Sequence, residues 1–307
     1  MPLDTNASNR NSPPMLKLAA RLFAICLLVL APPLASAQTQ TRATPALWHV
    51  KGKAGEAWLF GSIHVLPPSI DWRTQAVTDA LARADVFVFE LPVGGESMAR
   101  MTQLVVSRGY LPPGESLRAK LNTEEQADFD AALAAAGLKP EQVDRTRPWL
   151  ADLQITFAQL ARGQYSMDNG VNAQLQHQFA DKPQRFLETV DQQFALLVPD
   201  DATLELDMFR SSLKELARPQ ESIGELVQAW SAGDAIAIDR LMNEGLGEFP
   251  EARKALLDDR NARWLVQIEA MLKQKRRFFI TVGAGHLAGP GGVPALLRKA
   301  GYKVEGP

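Results

Sequence analysis

The stretch WLFGSIH at residues 58–64 decides the fold, because an apolar, aromatic-rich run ends there in Gly-x-x-His. The stretch FFITVGAGH at residues 278–286 repeats this pattern near the end of the chain. Short apolar runs rich in aromatic and β-branched residues predict buried strands. His64 and His286 are therefore each expected just past the C-terminal end of a strand, where open α/β sheets gather their ligands. The chain has only four histidines, so this shared placement indicates function.

Further strands and a helix are predicted around the first motif. Residues 46–50 and 57–63 have the pattern of two strands joined by a glycine-containing turn. Residues 71–83 have helical spacing, and the apolar run at 85–91 then predicts another buried strand. A strand, a helix and a second strand in succession favour parallel pairing of the two strands.

Helical patterns dominate the middle of the chain, from about residue 96 to 275, with one short predicted strand at 184–188. A strand at 277–282 and a helix at 293–300 restore the α/β pattern. We therefore predict an α/β (α+β-like) fold. Its central mixed sheet is built from the N- and C-terminal segments, with a large helical insertion, and the whole forms a single domain over residues 38–307.

Residues 1–37 have the features of a secretory signal peptide. Lys17 and Arg21 precede the apolar run at 22–34, and Ala35-Ser36-Ala37 supplies the small-x-small cleavage pattern. The apolar run is too short for a comfortable membrane span, although an uncleaved anchor is the alternative. We expect the mature chain to be periplasmic or secreted, with no stable membrane span after cleavage.

Removal of this leader excludes several classes of function. Cys26 is the only cysteine, so the mature chain has no disulfide and no thiol nucleophile. The 35 acidic and 33 basic residues become 34 and 30, because the leader contains Asp4, Arg10, Lys17 and Arg21. The resulting net charge of −4, without a prominent basic cluster, argues against a nucleic-acid partner.

Two glutamates share the placement of the two histidines. Glu90 and Glu188 each end a short predicted strand. A carboxylate there is costly unless it is paired or bound to a metal, so a helix-capping or salt-bridged acid is the alternative to a functional one. Two histidines and two glutamates suit a divalent transition metal such as Mn²⁺, Co²⁺ or Zn²⁺. We predict His64, Glu90 and His286 as metal ligands, and Glu188 as a further ligand or a catalytic base on metal-bound water.

Arg260 is a second candidate catalytic residue, on a long helical pattern. It could reach into the cleft to bind a substrate carboxylate or stabilise an oxyanion, and the alternative is a surface ion pair with Asp258 or Asp259. Of the remaining histidines, His49 is predicted to be structural on an early strand. His177 is predicted to be solvated on a polar helix.

Several segments together form a recognisable set: residues 47–50, 59–67, Glu90-Leu91, Leu187-Glu188-Thr189 with Gln192 or Gln193, Arg260-Asn261, and 282–289. With these segments the chain resembles the TraB/PrgY/GumN family, which is related to the Tiki metalloproteases. The resemblance covers roughly residues 46–305. It implies an α/β core with a helical insertion and a site built from both Gly-x-x-His motifs. In the Tiki branch it implies metal-dependent peptide cleavage.

The chain departs from this resemblance at one position. Such proteins often have a Gly-Val-Asp motif in the middle region, where this chain has Gly170-Val171-Asn172. An amide is a far poorer metal ligand than a carboxylate, although Asn172 can still form hydrogen bonds. Asp168 is the nearby acid that could compensate.

The first functional hypothesis is an exported metal-dependent hydrolase, peptidase-like, that acts on a peptide or small-molecule substrate. The alternative is a non-catalytic periplasmic protein that binds haem, a peptide signal or a polysaccharide intermediate, since two histidines are suitable axial ligands. Both hypotheses require His64, Glu90, Glu188 and His286 to converge within about 10 Å, with Arg260 pointing inward. The sequence leaves the oligomeric state open.

Overall fold

The strands that carry the two histidine motifs lie in one central sheet. The computed structural model describes residues 41–163, 165–198, 201–216, 219–246 and 250–307. The predicted signal peptide, residues 1–37, lies outside the described residues. The strands are β1 (Thr41–Arg42), β2 (Leu47–Lys51), β3 (Glu56–Ser62), β4 (Ile70–Asp71), β5 (Val86–Phe89), β6 (Gln184–Phe186), β7 (Arg277–Gly283) and β8 (Lys303–Glu305).

Six of these strands form a mixed sheet in the order β6-β5-β7-β3-β2-β8. Strands β3, β5, β6 and β7 are parallel, and β2 pairs antiparallel with both β3 and β8. The predicted strand-helix-strand unit does place β3 and β5 parallel. They do not pair directly, however, because the C-terminal strand β7 inserts between them, with Ile280 opposite Leu59 on one side and Val88 on the other.

Helices make up most of the chain between β5 and β7. In chain order the helices are α1 (Gln75–Arg83), α2 (Gly95–Arg108), α3 (Thr123–Ala136), α4 (Pro140–Val143), α5 (Pro148–Arg162), α6 (Val171–Gln178), α7 (Val190–Leu197), α8 (Ala202–Leu216), α9 (Pro219–Ser231), α10 (Ala235–Leu246), α11 (Pro250–Arg253), α12 (Asp259–Leu272) and α13 (Val293–Lys299). A π-helical turn, Lys254–Asp258, leads directly into α12, and 3₁₀ turns lie at Arg118–Lys120 and Ala284–Leu287. The predicted fold, a mixed sheet from both ends of the chain with a large helical insertion, is confirmed.

Successive strand residues point to opposite sides of the sheet. Both of these faces are buried. Helices α1, α6 and α9 pack on one face and α12 on the other. This burial explains why the central strands are continuously apolar. The first core receives Phe60, Phe87 and Phe279, and the second receives Leu59, Val88 and Ile280.

The helical insertion contains a core of its own. Phe129 of α3, Ile155 of α5 and Phe209 of α8 are almost fully buried against one another. Local signals set the ends of α3: Asn122 and Glu125 form a capping box, and Gly137 ends the helix with φ 69°. Within the described part of the chain, no helix combines the length and apolar character needed to cross a membrane.

Candidate active site

Four neighbouring parallel strands bring the predicted site residues to one edge of the sheet. Glu90 directly follows β5, Glu188 comes shortly after β6, and His64 and His286 come shortly after β3 and β7. The Glu188 amide donates to the Glu90 carbonyl at 3.0 Å, which extends the β5–β6 pairing to the two acids. The parallel arrangement therefore accounts for the convergence that both functional hypotheses require.

The centre of the site is a small space beside Gly283, the last residue of β7. A Cβ atom at this position would lie 3.3 Å from Glu90 Oε1, 3.5 Å from His286 Cδ2 and 3.9 Å from His64 Nε2. The Gly283 amide also donates to Glu90 Oε1 at 2.5 Å. Because glycine has no side chain, this space is left open between one carboxylate and two imidazoles.

Arg260 lies beneath this space, on the first turn of α12, and only 2% of it is exposed. Its Nη2 donates to Glu90 Oε2 at 2.6 Å and to Glu188 Oε2 at 2.8 Å, and its Nε donates to Glu188 Oε1 at 2.9 Å. Its Nη1 donates to His286 Nε2 at 2.8 Å and to the Leu256 carbonyl at 3.3 Å. One guanidinium thus holds both carboxylates and one of the histidines.

The predicted inward direction of Arg260 agrees with this geometry. The alternative was a surface ion pair with Asp258 or Asp259. Instead, Asp259 contacts Lys254 at 2.5 Å, and Asp258 lies 3.9 Å from Arg253. Because the guanidinium hydrogens of Arg260 are directed at protein acceptors, its side chain acts on the site by positioning and by its charge.

Two further side chains complete this buried network. Gln193 Nε2 donates to Glu90 Oε2 at 3.2 Å and to Glu188 Oε2 at 3.1 Å. The half-exposed Arg263 lies 3.5 Å from Glu188 Oε1. The two carboxylates therefore face two guanidinium groups, and their charges are balanced.

His286 is held at both ring nitrogens. Because Nε2 accepts from Arg260, Nδ1 carries the proton and donates to Asn261 Oδ1 at 2.7 Å. Asn261 is oriented in turn by its donation to the Gly291 carbonyl at 3.0 Å, and the Trp264 ring packs 4.3 Å from the imidazole. Burial, together with the charge of Arg260, lowers the pKa of His286 to about 3, so the ring is neutral at pH 7.

His64 is held by its backbone, and its ring faces the cavity. A Cβ atom at Gly170 would lie 1.9 Å from the His64 carbonyl oxygen, and the Val171 amide donates to the Ile63 carbonyl at 3.1 Å. The start of α6 therefore packs directly on the first histidine motif. Among the described residues, none forms a hydrogen bond with the His64 ring. Burial lowers the pKa of His64 against the opposing effect of Glu90, so this imidazole is also neutral at pH 7.

Glu90 is ionised in this setting. Burial alone would raise the pKa of its carboxyl group, but the positive charge of Arg260 and the hydrogen bond from Gly283 act in the opposite direction. The resulting pKa is about 2. The space beside Gly283 is therefore bordered by a carboxylate and a neutral imidazole with an unused nitrogen.

A cavity opens from this space, and its lining combines polar and apolar residues. The polar lining residues include Ser62, His64, Glu90, Gln193 and His286. The apolar lining residues include Met167, Ile223, Leu226, Val227, Met242, Leu256 and Leu257. The cavity volume of about 130 Å³ is roughly ten times that needed by one water molecule, so it can admit part of a ligand as well as water.

Asn172, which replaces the expected acid, also lines this cavity. It lies in the first turn of α6, is 9% exposed, and its Oδ1 has no hydrogen-bond partner among the described residues. Asp168 is exposed and does not line the cavity, so the described structure gives no support for its compensating role.

Two histidines and two carboxylates are suitable ligand types for Mn²⁺, Co²⁺ or Zn²⁺. However, His286 presents a ring carbon to the central space, while both of its nitrogens are engaged by Arg260 and Asn261. This leaves His64 Nε2 and Glu90 Oε1 as donors, fewer than the three protein ligands usual in catalytic zinc sites. Within the described residues, no group of three or more His, Cys, Asp or Glu side chains could hold a metal ion, so the present arrangement does not fit one.

The remaining two histidines lie outside the site. His49 Nε2 contacts Glu56 at 2.7 Å and its ring stacks on Trp58, which agrees with the predicted structural role. His177 is exposed on α6, as predicted.

Four participants were not predicted as site residues: Gln193, Asn261, Arg263 and Trp264. Gln193 and Asn261 belong to the segments that carry the family resemblance, and this was the only signal for them in the sequence. Trp264 is fully buried. Its second contact, with Arg260 at 4.7 Å, depends on how α12 packs against the sheet.

Comparison with known proteins identifies the family of this chain. The model of the TraB/PrgY/gumN family matches residues 46–306, so the chain belongs to this family and the resemblance is confirmed. An uncharacterized protein of Treponema pallidum (strain Nichols) is similar, with 21% identity over 301 residues that cover 90% of this chain and 89% of that protein. No solved structure matches the chain.

Proposed function

We propose that this chain is an exported hydrolase, peptidase-like, that cleaves an amide bond of a peptide or small molecule. One observation carries the proposal: His64, Glu90 and His286 surround a small space beside Gly283 that opens into a cavity. A neutral imidazole and an ionised carboxylate at one such space are what general-base activation of a water molecule needs.

His64 is the proposed general base. As the water oxygen forms a bond to the substrate carbonyl carbon, His64 Nε2 takes one proton from that water. The same proton then passes from His64 to the leaving nitrogen while the carbon–nitrogen bond breaks. The products are a carboxylic acid and an amine, and His64 returns to its neutral form.

Glu90 is proposed to orient the water and to stabilise the imidazolium form of His64, because it is ionised and beside the same space. Arg260 and His286 are positioning residues in this scheme, since Arg260 donates to both Glu90 and His286. Glu188, predicted as a base or ligand, is proposed instead to anchor Arg260, to which it is bound through both oxygens.

The predicted divalent transition metal remains a separate proposal. Binding through His64, Glu90 and His286 would require Arg260 to move away from His286 Nε2, and no step above depends on a metal. Metal analysis of the purified protein after incubation with Mn²⁺, Co²⁺ and Zn²⁺ tests it. About one bound ion that is lost in both His64→Ala and His286→Ala would support the metal-dependent form.

Export is proposed from the basic, apolar and small-residue pattern of residues 17–37 alone. Cell fractionation and N-terminal sequencing test it. A mature protein starting near Gln38 in the periplasmic or secreted fraction is the expected result. Retention of residues 1–37 in a membrane fraction would contradict cleavage.

The decisive experiment is hydrolysis of a mixture of internally quenched peptides by the full chain. We expect activity in the wild type, loss in His64→Asn, and full retention in His177→Asn, which changes an exposed histidine outside the site. Activity that survives His64→Asn would overturn the proposed base. Measurements with and without a chelator separate this mechanism from the metal-dependent one.

The alternative, a non-catalytic periplasmic binding protein, makes a different prediction. Haem ligation through His286 would have to break its hydrogen bonds to Arg260 and Asn261, which disfavours this form of the alternative. A haem titration that gives a Soret shift in the wild type but not in His64→Ala would nevertheless support it over hydrolysis. Binding of a peptide signal or a polysaccharide intermediate without turnover would support the other forms.

A further inference from the structure

A second pocket lies at the opposite end of the sheet from the candidate active site. Glu56 begins β3, Arg277 begins β7 and Asp85 directly precedes β5, so this pocket is at the N-terminal ends of the same parallel strands. Because β3 has seven residues, the two sites are about 20 Å apart. We propose that this pocket binds neighbouring phosphate groups of a small anionic ligand. The proposal goes beyond the hydrolase and does not depend on it.

The pocket is formed where two basic turns meet, one between β2 and β3 and the other between α12 and β7. The Ala54 and Gly55 amides both donate to the Leu272 carbonyl, at 3.4 and 3.2 Å. The Glu56 amide donates to the Arg276 carbonyl at 3.3 Å. A Cβ atom at Gly55 would lie 2.5 Å from the Arg276 carbonyl oxygen, so glycine permits this close approach. The two backbones are therefore held together, and their side chains share one open pocket of about 710 Å³.

Positive charge dominates the lining of this pocket. The lining contains five cations and two acids, which leaves a formal charge of +3. The chain as a whole has a formal net charge of −2, so the pocket is a local reversal of sign that only the fold assembles. All five cations are exposed to solvent. The cations are Lys51, Lys53, Lys275, Arg276 and Arg277, and the acids are Glu56 and Asp85.

Both acids of the pocket are already bound to other partners. Arg277 donates to Asp85 through Nε at 3.1 Å and through Nη2 at 2.7 Å, and these hydrogen bonds lower the pKa of that carboxyl group. Glu56 accepts from Arg83 at 2.8 Å and contacts His49 Nε2 at 2.7 Å. Neither carboxylate therefore neutralises the remaining cations of the two turns.

Three cations are left without an acidic partner. Lys53, Lys275 and Arg276 form no ion pair with any residue that the structure describes. Lys51 lies 3.8 Å from the carboxylate of Glu305, in an exposed pair of the kind that contributes little. Like charges around one pocket repel one another, and an anion bound among them removes that repulsion. Phosphate suits this set, because ammonium groups attract its charge and a guanidinium can bind two of its oxygens.

The lining and the size of the pocket narrow the class of ligand. Ala54 is its only apolar lining residue, so a ligand is recognised through its anionic groups and not through an apolar body. The volume is within the range of small-molecule sites, roughly 300–1,000 Å³. Two or more neighbouring phosphates can contact several of the cations at once. Such groups belong either to a free compound with a di- or triphosphate or to a phosphorylated lipid headgroup.

Calorimetric titration of tripolyphosphate into the full chain tests the proposal. We expect about one bound ion per chain and an affinity that falls as the salt concentration rises, because the contacts are ionic. Inorganic phosphate should bind at least about tenfold more weakly, since one phosphate reaches fewer of the cations. Absence of tripolyphosphate binding at low salt would overturn the proposal, and so would equal affinities for the two anions.

Three exposed lysines locate the binding. Lys53→Gln and Lys275→Gln each remove one charge from a different turn, and each should weaken tripolyphosphate binding about fivefold. The double variant should weaken it by roughly 25-fold, if the two contacts are independent. Lys139→Gln is the matched control, at an exposed lysine directly before α4 in the helical insertion, and should leave the affinity unchanged. Equal losses in all three single variants would show general charge attraction and contradict a site.

Vesicle binding separates the two sources of the phosphate groups. The full chain is sedimented with phosphatidylcholine vesicles that either contain or lack phosphatidic acid. Binding that requires phosphatidic acid and is lost in the double variant would identify a lipid headgroup. Tripolyphosphate binding without vesicle binding would identify a free phosphorylated compound. Either result supports the phosphate site, whereas a double variant that still binds tripolyphosphate as tightly as the wild type would remove it.

Discussion

The two Gly-x-x-His motifs share one pattern and one edge of the sheet, yet their histidines have different environments. In the register of β3 and β7, Gly61 lies opposite Val282 and Ser62 opposite Gly283, so the motifs are offset by one residue. His286 lies in a 3₁₀ turn and is 5% exposed, with both ring nitrogens hydrogen-bonded. His64 is less buried, and its ring lines the cavity. The motif thus predicts where a histidine lies, while the surrounding elements decide what it can do.

The largest expected effect separates the two histidines by activity. His64→Asn should lower kcat about 10²- to 10⁴-fold, the usual contribution of a general base, with little loss of folding stability. His286→Asn should instead leave Arg260 without one buried acceptor and lower the unfolding free energy by about 1–3 kcal/mol. Peptide hydrolysis and urea unfolding of both variants give the comparison. Equal losses of stability in the two would contradict the distinction between them.

The next effect concerns the network beneath His286. Arg260→Met should destabilise the fold by about 3–5 kcal/mol, because Glu90 and Glu188 would remain buried without their charge partner. Arg263→Met is the matched control, since that half-exposed side chain approaches only Glu188, at 3.5 Å, and should cost less than about 1 kcal/mol. Guanidinium unfolding of both variants measures the difference. Similar losses would show that Arg260 does not organise the site.

A third prediction tests the backbone contact that holds His64. Gly170→Ala should destabilise the fold by about 1–3 kcal/mol, because the new methyl group would meet the His64 carbonyl oxygen. Gly224→Ala is the control: it lies within α9, its nearest neighbour is the Tyr165 hydroxyl at 4.0 Å, and alanine should be neutral or stabilising there by up to about 1 kcal/mol. Thermal unfolding compares them. A neutral Gly170→Ala would show that α6 can move away from His64.

The last prediction is a pH dependence of stability. The pKa of His286 is about 3 in the folded protein and near 6.5 when unfolded, so the unfolded state binds the proton more readily. Stability is therefore fully present above pH 6.5 and is lost as the pH falls toward 3, by up to about 1.4 kcal/mol per pH unit. The lowered pKa of His64 acts in the same direction. The corresponding loss for Glu90 begins only below about pH 4.5 and extends toward its folded pKa of about 2.

Urea unfolding between pH 7 and 5 measures the contribution of the histidines to the pH dependence of stability, separately from that of Glu90. His64→Asn and His286→Asn should each reduce the slope of the unfolding free energy against pH, and exposed His177→Asn serves as the control. A wild-type stability that does not change over this range would contradict the neutral, buried state of both rings.

The sequence by itself determined the sheet and the edge at which the candidate site lies. Aromatic and β-branched runs placed the ends of β3 and β7 to within one residue and those of β5 to within two, because a strand buried on both faces must be apolar throughout. The two motifs at their ends, and Glu90 beside them, then followed from the rule that parallel strands share one C-terminal edge. The sequence also predicted the family and the mixed fold with a helical insertion, because both predictions depend on the same strand runs and motifs.

Only the tertiary structure decided the roles within that edge. Arg260 and Asn261 are separated from β7 by most of α12, and only the packing of that helix on the sheet brings them to His286. Gly170 has no local signal for its contact with the His64 carbonyl, because that approach depends on where α6 docks. A sequence pattern records which residues end a strand. Which nitrogen is free and which carboxylate is paired depend on distances of a few ångströms between segments far apart in the chain, and only the packed structure sets those distances.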